Sequence, residues 1–239
     1  MNPAFPVDTA EIQALDSAHF LHPFTDFKDL GRRGARVMPR ADNIYVWDSE
    51  GARVLDAMSG LWCVNVGYGR KELADAAYQQ MMTLPYYNSF FQTTNVPAVD
   101  GRRFEHVFYS SSGSESNDSN VRMVRRYWDL LGQPQRKIII SRNNAYHGST
   151  MAGASLGGMS GMHAQGDLPI PNIAHIEQPY FYELAHEGES QAEFGLRAAG
   201  WLEAKILALG PDRVAAFIAE PVQGAGGCSP WPAGSPSWP

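Results

Sequence analysis

The apolar positions divide the chain into alternating strands and helices. Lys137-Ile138-Ile139-Ile140 and Val214-Ala215-Ala216-Phe217-Ile218-Ala219 are continuous apolar runs, as expected for strands buried on both faces. Elsewhere the apolar residues recur at helical spacing. Val121, Val124, Trp128 and Leu131 mark one face of a helix over 115–131, stopped by Gly132 and Pro134. Ala199, Leu202, Ile206 and Leu209 mark a helix over 191–209, stopped by Gly210-Pro211. Leu73, Ala77 and Met81 mark a third over about 70–82, ended by Pro85. A further helix is expected around Thr9–His19, with Asp8 or Thr9 as its cap.

Two β-rich runs, Ile44–Trp47 and Arg53–Leu55, flank Ser49-Glu50-Gly51 and predict a hairpin over 44–56. His106–Tyr109 predicts a short strand ahead of a Ser/Gly loop. Residues 59–69, 86–99 and 142–190 read as loops. Strands that alternate with helices predict an α/β fold with a mostly parallel sheet and flanking helices. The hairpin precedes it as a small antiparallel element. The expected division is an N-terminal segment 1–58, a large domain 59–227 and a Pro/Ser/Trp-rich tail 228–239 without period. The tail reads as an out-of-frame extension.

Composition narrows the function. With 44% hydrophobic and 18% charged residues the chain can bury a core. The net charge of −6 and the lack of basic runs beyond arginine pairs argue against nucleic acid. Cys63 and Cys228 give neither a disulfide framework nor zinc spacing, and the seven histidines show no ligand spacing, so no metal is expected. No signal peptide and no spanning run of about 20 apolar residues is read, so the expected location is the cytoplasm, without membrane contact.

The residues that could carry chemistry stand just past predicted strands, where ligands bind in open α/β sheets. Ser110-Ser111-Ser112-Gly113-Ser114 leads from a strand into a helix, whose free N–H groups and dipole suit a phosphate. Ser112 and Glu115 equally fit a capping box, and on this loop alone both readings stand. Tyr146 and His147 follow the 137–140 strand, where an aromatic could stack on a flat ring or simply close a turn. Glu220 ends the 214–219 strand ahead of Gly224-Ala225-Gly226-Gly227; it reads as a site carboxylate or as a charge that reaches solvent. Trp62, Tyr68, Tyr86, Tyr87, Phe90 and Phe91 could line a pocket or an oligomer interface.

Four motifs in one order add up to more. They are Ser59-Gly60-Leu61-Trp62-Cys63-Val64-Asn65-Val66-Gly67-Tyr68-Gly69, Ser112-Gly113-Ser114-Glu115-Ser116-Asn117-Asp118, Tyr146-His147-Gly148-Ser149-Thr150 and Glu220-Pro221-Val222-Gln223-Gly224. Over about residues 15–227 this set closely resembles the class III, or omega, aminotransferases. Phe90–Asn95 and Ala152–Met159 point within them to the β-alanine–pyruvate branch. The resemblance implies a fold-type-I enzyme that uses pyridoxal 5'-phosphate (PLP), homodimeric, moving an amino group from an amine or ω-amino acid to pyruvate. It implies that Ser112, Gly113 and Ser114 hold the cofactor phosphate, that Tyr146 stacks on its ring beside His147, and that Glu220 supports the surrounding hydrogen bonds. Leu61 and Trp62 would line the substrate pocket.

Two departures from the family pattern modify this expectation. Val99 is followed almost at once by Asp100–Phe104, where the family has a helix. The family's aspartate for the ring nitrogen, its Schiff-base lysine, a second phosphate ligand and its carboxylate-binding arginine are expected beyond the last residue. Lys28, Lys71, Lys137 and Lys205 stand in no context that resembles the lysine motif. The chain is therefore expected to be inactive alone for want of that catalytic residue. The alternative is a non-catalytic fragment or interaction module with a partial phosphate site. An unrelated nucleotide-binding α/β enzyme ranks below both.

Overall fold

The computed structural model describes residues 8–23, 25–87, 108–227 and the backbone of 229–230. The sequence expectations for Phe90–Asn95, for the 100–104 connection, for His106-Val107 and for the rest of the tail fall outside these residues. The chain forms two compact units, Met1–Ala98 and Val99–Pro239.

The first unit begins with α1 (Thr9–His19), whose Asp8 side chain accepts from the N–H groups of Ala10 and Glu11, as expected. A second helix, α2 (Phe27–Arg33), was not expected from periodicity. Its signals are the Asp26 cap and the Asp29–Arg33 pair one turn apart. Strands β1 (Arg40–Asp42), β2 (Tyr45–Trp47) and β3 (Arg53–Leu55) form an antiparallel meander in that order. The β2–β3 pair is the predicted hairpin, with Tyr45 opposite Leu55. Asp48 closes its turn by accepting from Glu50 and Ala52, and pairs with Arg36 at 2.7 Å. A single turn, α3 (Ser59–Trp62), and the helix α4 (Lys71–Thr83) complete the unit.

The second unit is built on a parallel sheet in the order β5-β4-β6. The central strand is β4 (Ile138–Arg142), flanked by β5 (Ile173–Ile176) and β6 (Val214–Phe217). Alternation along β4 sends its side chains to two cores. Ile139 joins Val121, Leu156 and Ile173 under α5 (Gly113–Leu130) and α6 (Met151–Leu156). Ile138 and Ile140 join Ile176 and Val214 under α9 (Gln191–Leu209), packed by Leu202, Ile206 and Leu209. Both faces are thus covered, which explains the apolar run Ile138–Ile140 in β4. Two single turns, α7 (Ser160–His163) and α8 (Phe181–Leu184), and a short pair, β7 (Val222–Gln223) with β8 (Ser229–Pro230), fill the connections.

Four expectations need correction. The region 142–190 is not one loop: it contains α6, α7, β5 and α8. Leu131 is exposed and lies past the end of α5, while Trp128 stays on the packed face and its indole donates to Ala215 O at 2.9 Å. On α9 it is Ala198, with Phe194, that is buried, and Ala199 faces out. Phe108 and Tyr109 are exposed and take part in no strand among the described residues. No helix of the described residues is long and apolar enough to cross a membrane, and no group of three or more His, Cys, Asp or Glu among them could hold a metal.

Candidate active site

The second unit's site forms where β4 ends and α5 begins. Ser112 caps α5 by accepting from Glu115 N at 3.2 Å. The capping box is not reciprocal, because the Glu115 carboxylate bonds Ser111 N at 2.7 Å instead of Ser112 N. This leaves the N–H groups of Ser112, Gly113 and Ser114 without a partner among the described residues, as the first turn of a helix ordinarily does. A Cβ built on Gly113 would meet nothing within 4 Å, so the space over this turn is open.

One face of α5 changes chemistry along its length. Ser114, Asn117 and Asp118 precede Val121, Val124 and Trp128 on the same helical stripe. The apolar end packs on the sheet. The polar end clasps the turn that follows β4. Ser114 Oγ accepts from Ser149 N at 3.1 Å, Asn117 Nδ2 donates to His147 O at 2.8 Å, and Thr150 Oγ1 donates to Asp118 Oδ1 at 2.8 Å. The contact is close enough to require Gly148: at φ +130 a Cβ there would lie 2.9 Å from Ser114 Cα. The clasp therefore sets the Tyr146–His147 segment directly against the amino end of α5.

The turn is also held by residues past β5 and β6. Glu220 accepts from Tyr146 N at 2.8 Å with one oxygen and from Gly224 N at 3.2 Å with the other. Asn144 donates to Gln178, which donates to Gly226 O, and buried Gln223 donates to Asn143 O. Arg142 is buried at the end of β4; burial lowers its pKa to about 10, a fall partly offset by the charge of Glu220. It stays cationic at neutral pH.

Tyr146 is 39% exposed while its neighbour His147 is only 7% exposed. Burial, with a smaller contribution from His175, lowers the His147 pKa to about 4, so this imidazole is neutral at pH 7. Its Nε2 is buried without a hydrogen-bond partner. His163 and His175 both donate from Nε2 to Gly157 O, at 2.7 and 2.8 Å.

Of the six residues expected to hold a cofactor, the structure brings Ser112, Gly113, Ser114, Tyr146, His147 and Glu220 to one end of the sheet. Sequence reasoning missed the roles of Asn117, Asp118, Thr150 and Gln223. The polar half of the α5 stripe was the available signal. Lys137 pairs with Asp129 and lies at the opposite, amino end of β4. Lys205 sits in the last turns of α9, which leads back to the amino end of β6.

Leu61 and Trp62 belong to the first unit, where both are exposed. They lie in α3, which is a turn of left-handed helix: φ is +50, +58, +57 and +65 for Ser59, Gly60, Leu61 and Trp62. Such a backbone is unfavourable by roughly 1–2 kcal/mol for each non-glycine residue, and loop signals in the sequence did not distinguish it.

Comparison with known proteins agrees with this architecture. The family model described as aminotransferase class-III matches residues 31–235. The chain is 56% identical over 228 residues to a putrescine–pyruvate aminotransferase of Pseudomonas aeruginosa, covering 92% of this chain and 50% of that protein. It is 42% identical to a diaminobutyrate–2-oxoglutarate transaminase of Halomonas elongata, over 89% of this chain and 48% of the relative. Among solved structures, an omega transaminase from Pseudomonas jessenii in complex with PMP superposes with a TM-score of 0.88 at 39% identity, over 94% of this chain and 51% of that one. The chain spans about half the length of the curated relatives it matches. The expected family and the expected fold-type-I architecture are thereby borne out: this chain belongs to the class-III aminotransferases.

Proposed function

We propose that the chain supplies the phosphate-binding and ring-binding part of a PLP site, in a protein that transfers an amino group from an amine or ω-amino acid to pyruvate. The observation that carries this reading is the clasp between α5 and the Tyr146–Thr150 turn. It holds the turn that carries Tyr146 against a helix end whose Ser112, Gly113 and Ser114 N–H groups have no partner among the described residues, with open space over Gly113. That donor set and that space fit a planar cofactor with a phosphate tail. Ser112, Gly113 and Ser114 would hold the phosphate, and Tyr146 would stack on the ring. Neutral His147 would sit beside it without adding charge. Glu220 would act by holding the Tyr146 backbone. PLP, when bound, supplies the electron sink for amino transfer.

Leu61 and Trp62 are the substrate-pocket residues on this reading. The names of the relatives favour ω-amine donors: putrescine for one, diaminobutyrate for another. β-Alanine is the alternative donor implied by the sequence motifs. A cytoplasmic homodimer is the expected setting. Lys137 and Lys205 both lie toward the amino ends of the strands, and Lys28 and Lys71 stand in no context that resembles the Schiff-base motif, so we expect this chain by itself to bind PLP without a covalent bond and to be inactive.

The test is calorimetric titration of the purified chain with PLP, beside Tyr146→Ala. Stacking of about 0.5–1.5 kcal/mol predicts affinity weakened by about 2- to 12-fold in the variant. Unchanged affinity would remove the stacking role. Steady turnover of putrescine or β-alanine with pyruvate by the chain alone would overturn the expected inactivity.

A further inference from the structure

The left-handed turn at Ser59–Trp62 calls for a cause, since successive L-residues avoid this region unless their surroundings impose it. The cause is a bond between two side chains that bracket the loop. Asp56 Oδ2 accepts from the Tyr68 hydroxyl at 2.7 Å and from Gly60 N at 2.7 Å, while Oδ1 accepts from Met58 N at 3.1 Å. Both ends are fixed to the meander. Asp56 N donates to Ile44 O at 2.9 Å, and Tyr68 N donates to Asn43 O at 2.7 Å with a return bond at 3.2 Å. The loop thus leaves and returns at consecutive residues of the β1–β2 turn. Space is limiting as well: a Cβ on Gly60 would stand 3.0 Å from the Tyr68 hydroxyl and 2.8 Å from Val64 Cγ2. On this base Leu61 and Trp62 point outward, 72% and 56% exposed. The Asp56 charge raises the Tyr68 pKa, chiefly through their hydrogen bond, and the same bond lowers that of Asp56.

We infer that Asp56 and Tyr68 are positioning residues: their carboxylate–phenol latch holds the left-handed turn, and so sets the direction in which Leu61 and Trp62 meet the apolar part of an amine substrate. The specificity role rests on the proposed pocket assignment of Leu61 and Trp62. Neither latch residue needs to touch the substrate. Loss of the latch would let the turn relax toward right-handed backbone, re-aiming both side chains while the meander stayed intact.

The test uses the full chain labelled with 5-fluorotryptophan. Its six tryptophans give six fluorine resonances, and Trp62→Phe assigns the relevant one. Tyr68→Phe removes the donor and keeps the ring; it should shift or broaden the Trp62 resonance and leave the other five in place. Asp56→Asn, which keeps an acceptor oxygen, should move it less. A Trp62 resonance unmoved by Tyr68→Phe overturns the inference. Should Tyr68→Phe disturb all six, hydrogen exchange of the unaltered chain decides: the Gly60 amide must exchange at least ten-fold slower than its intrinsic rate, and exchange at that rate overturns the latch. Titration of the labelled wild-type chain with putrescine or β-alanine separates the two levels of the argument. Movement of the Trp62 resonance supports the pocket assignment. A resonance that answers to Tyr68→Phe but to no amine removes the pocket assignment and the specificity role with it. One that answers to amine but not to Tyr68→Phe removes the latch alone.

Discussion

Acidification should weaken the second unit through His147. In the folded chain burial lowers the pKa of this imidazole to about 4, while an unfolded histidine titrates near 6.5. Below pH 6.5 the unfolded chain therefore takes up a proton that the folded chain refuses until about pH 4. Stability that depends on the neutral ring is complete above 6.5 and is lost progressively as the pH falls to 4. At about 1.4 kcal/mol for each pH unit, the loss is on the order of 3 kcal/mol. That is a large fraction of the 5–15 kcal/mol typical of a domain. Urea denaturation followed by circular dichroism at pH 7, 6, 5 and 4 would measure it, comparing wild type with His147→Gln. Asp48, Asp56 and Glu189 also have lowered pKa values, but they contribute equally to both proteins. The wild-type advantage over the variant should shrink by about 3 kcal/mol between pH 7 and pH 4. Parallel pH profiles would refute the assignment of a buried neutral ring.

Other changes test the packing directly. Gly148→Ala combines positive φ with a Cβ 2.9 Å from the Ser114 backbone; it should destabilise by more than about 1 kcal/mol and raise hydrogen exchange across 146–150, and a neutral effect would contradict the clasp. Leu156→Ala empties a fully buried position in the Ile139–Ile173 cluster and should lower unfolding stability by about 2–5 kcal/mol, read from urea midpoints. Ser190→Ala removes the reciprocal capping box of α9 with Glu193 and should lower it by about 1 kcal/mol.

What the sequence disclosed depended on the range of the interaction. α5 was legible because cap, apolar stripe and stop signal all lie within one element, and α9 because its stripe and stop signal do. β4 and β6 were legible because strands covered on both faces carry continuous apolar runs, Ile138–Ile140 and Val214–Phe217. β5 was hidden: Ile173-Ala174-His175-Ile176 carries a histidine whose Nε2 is satisfied by Gly157 O, 18 residues back, and prolines at 169, 171 and 179 suggest a loop. At the site, Tyr146 and Glu220 were legible from their place at strand ends. Their mutual bond spans 74 residues, and the Asn117 clasp spans 30, so no local pattern records either. The left-handed turn was invisible for a related reason. Its stabilising partners, Asp56 and Tyr68, lie outside it and meet only through the fold.

The strand order has a consequence for synthesis. Among the described strands of this sheet β4 is central, yet it is made first; Ile138 pairs with Val214, 76 residues later. At a translation rate of about 5–20 residues per second, the three consecutive isoleucines leave the ribosome about 4–15 s before β6 exists to cover that edge. Such a β-branched run invites association with other nascent chains. The charges that bound it, Arg136 and Lys137 before and Arg142 after, stand where gatekeeper residues flank hydrophobic strands. Their folded roles then take over: Arg136 bonds Pro211 O and Val214 O at the root of β6, and Arg142 lies over the Phe217 ring. Two of these cations, Arg136 and Arg142, thus become contacts of the strand that pairs with this edge.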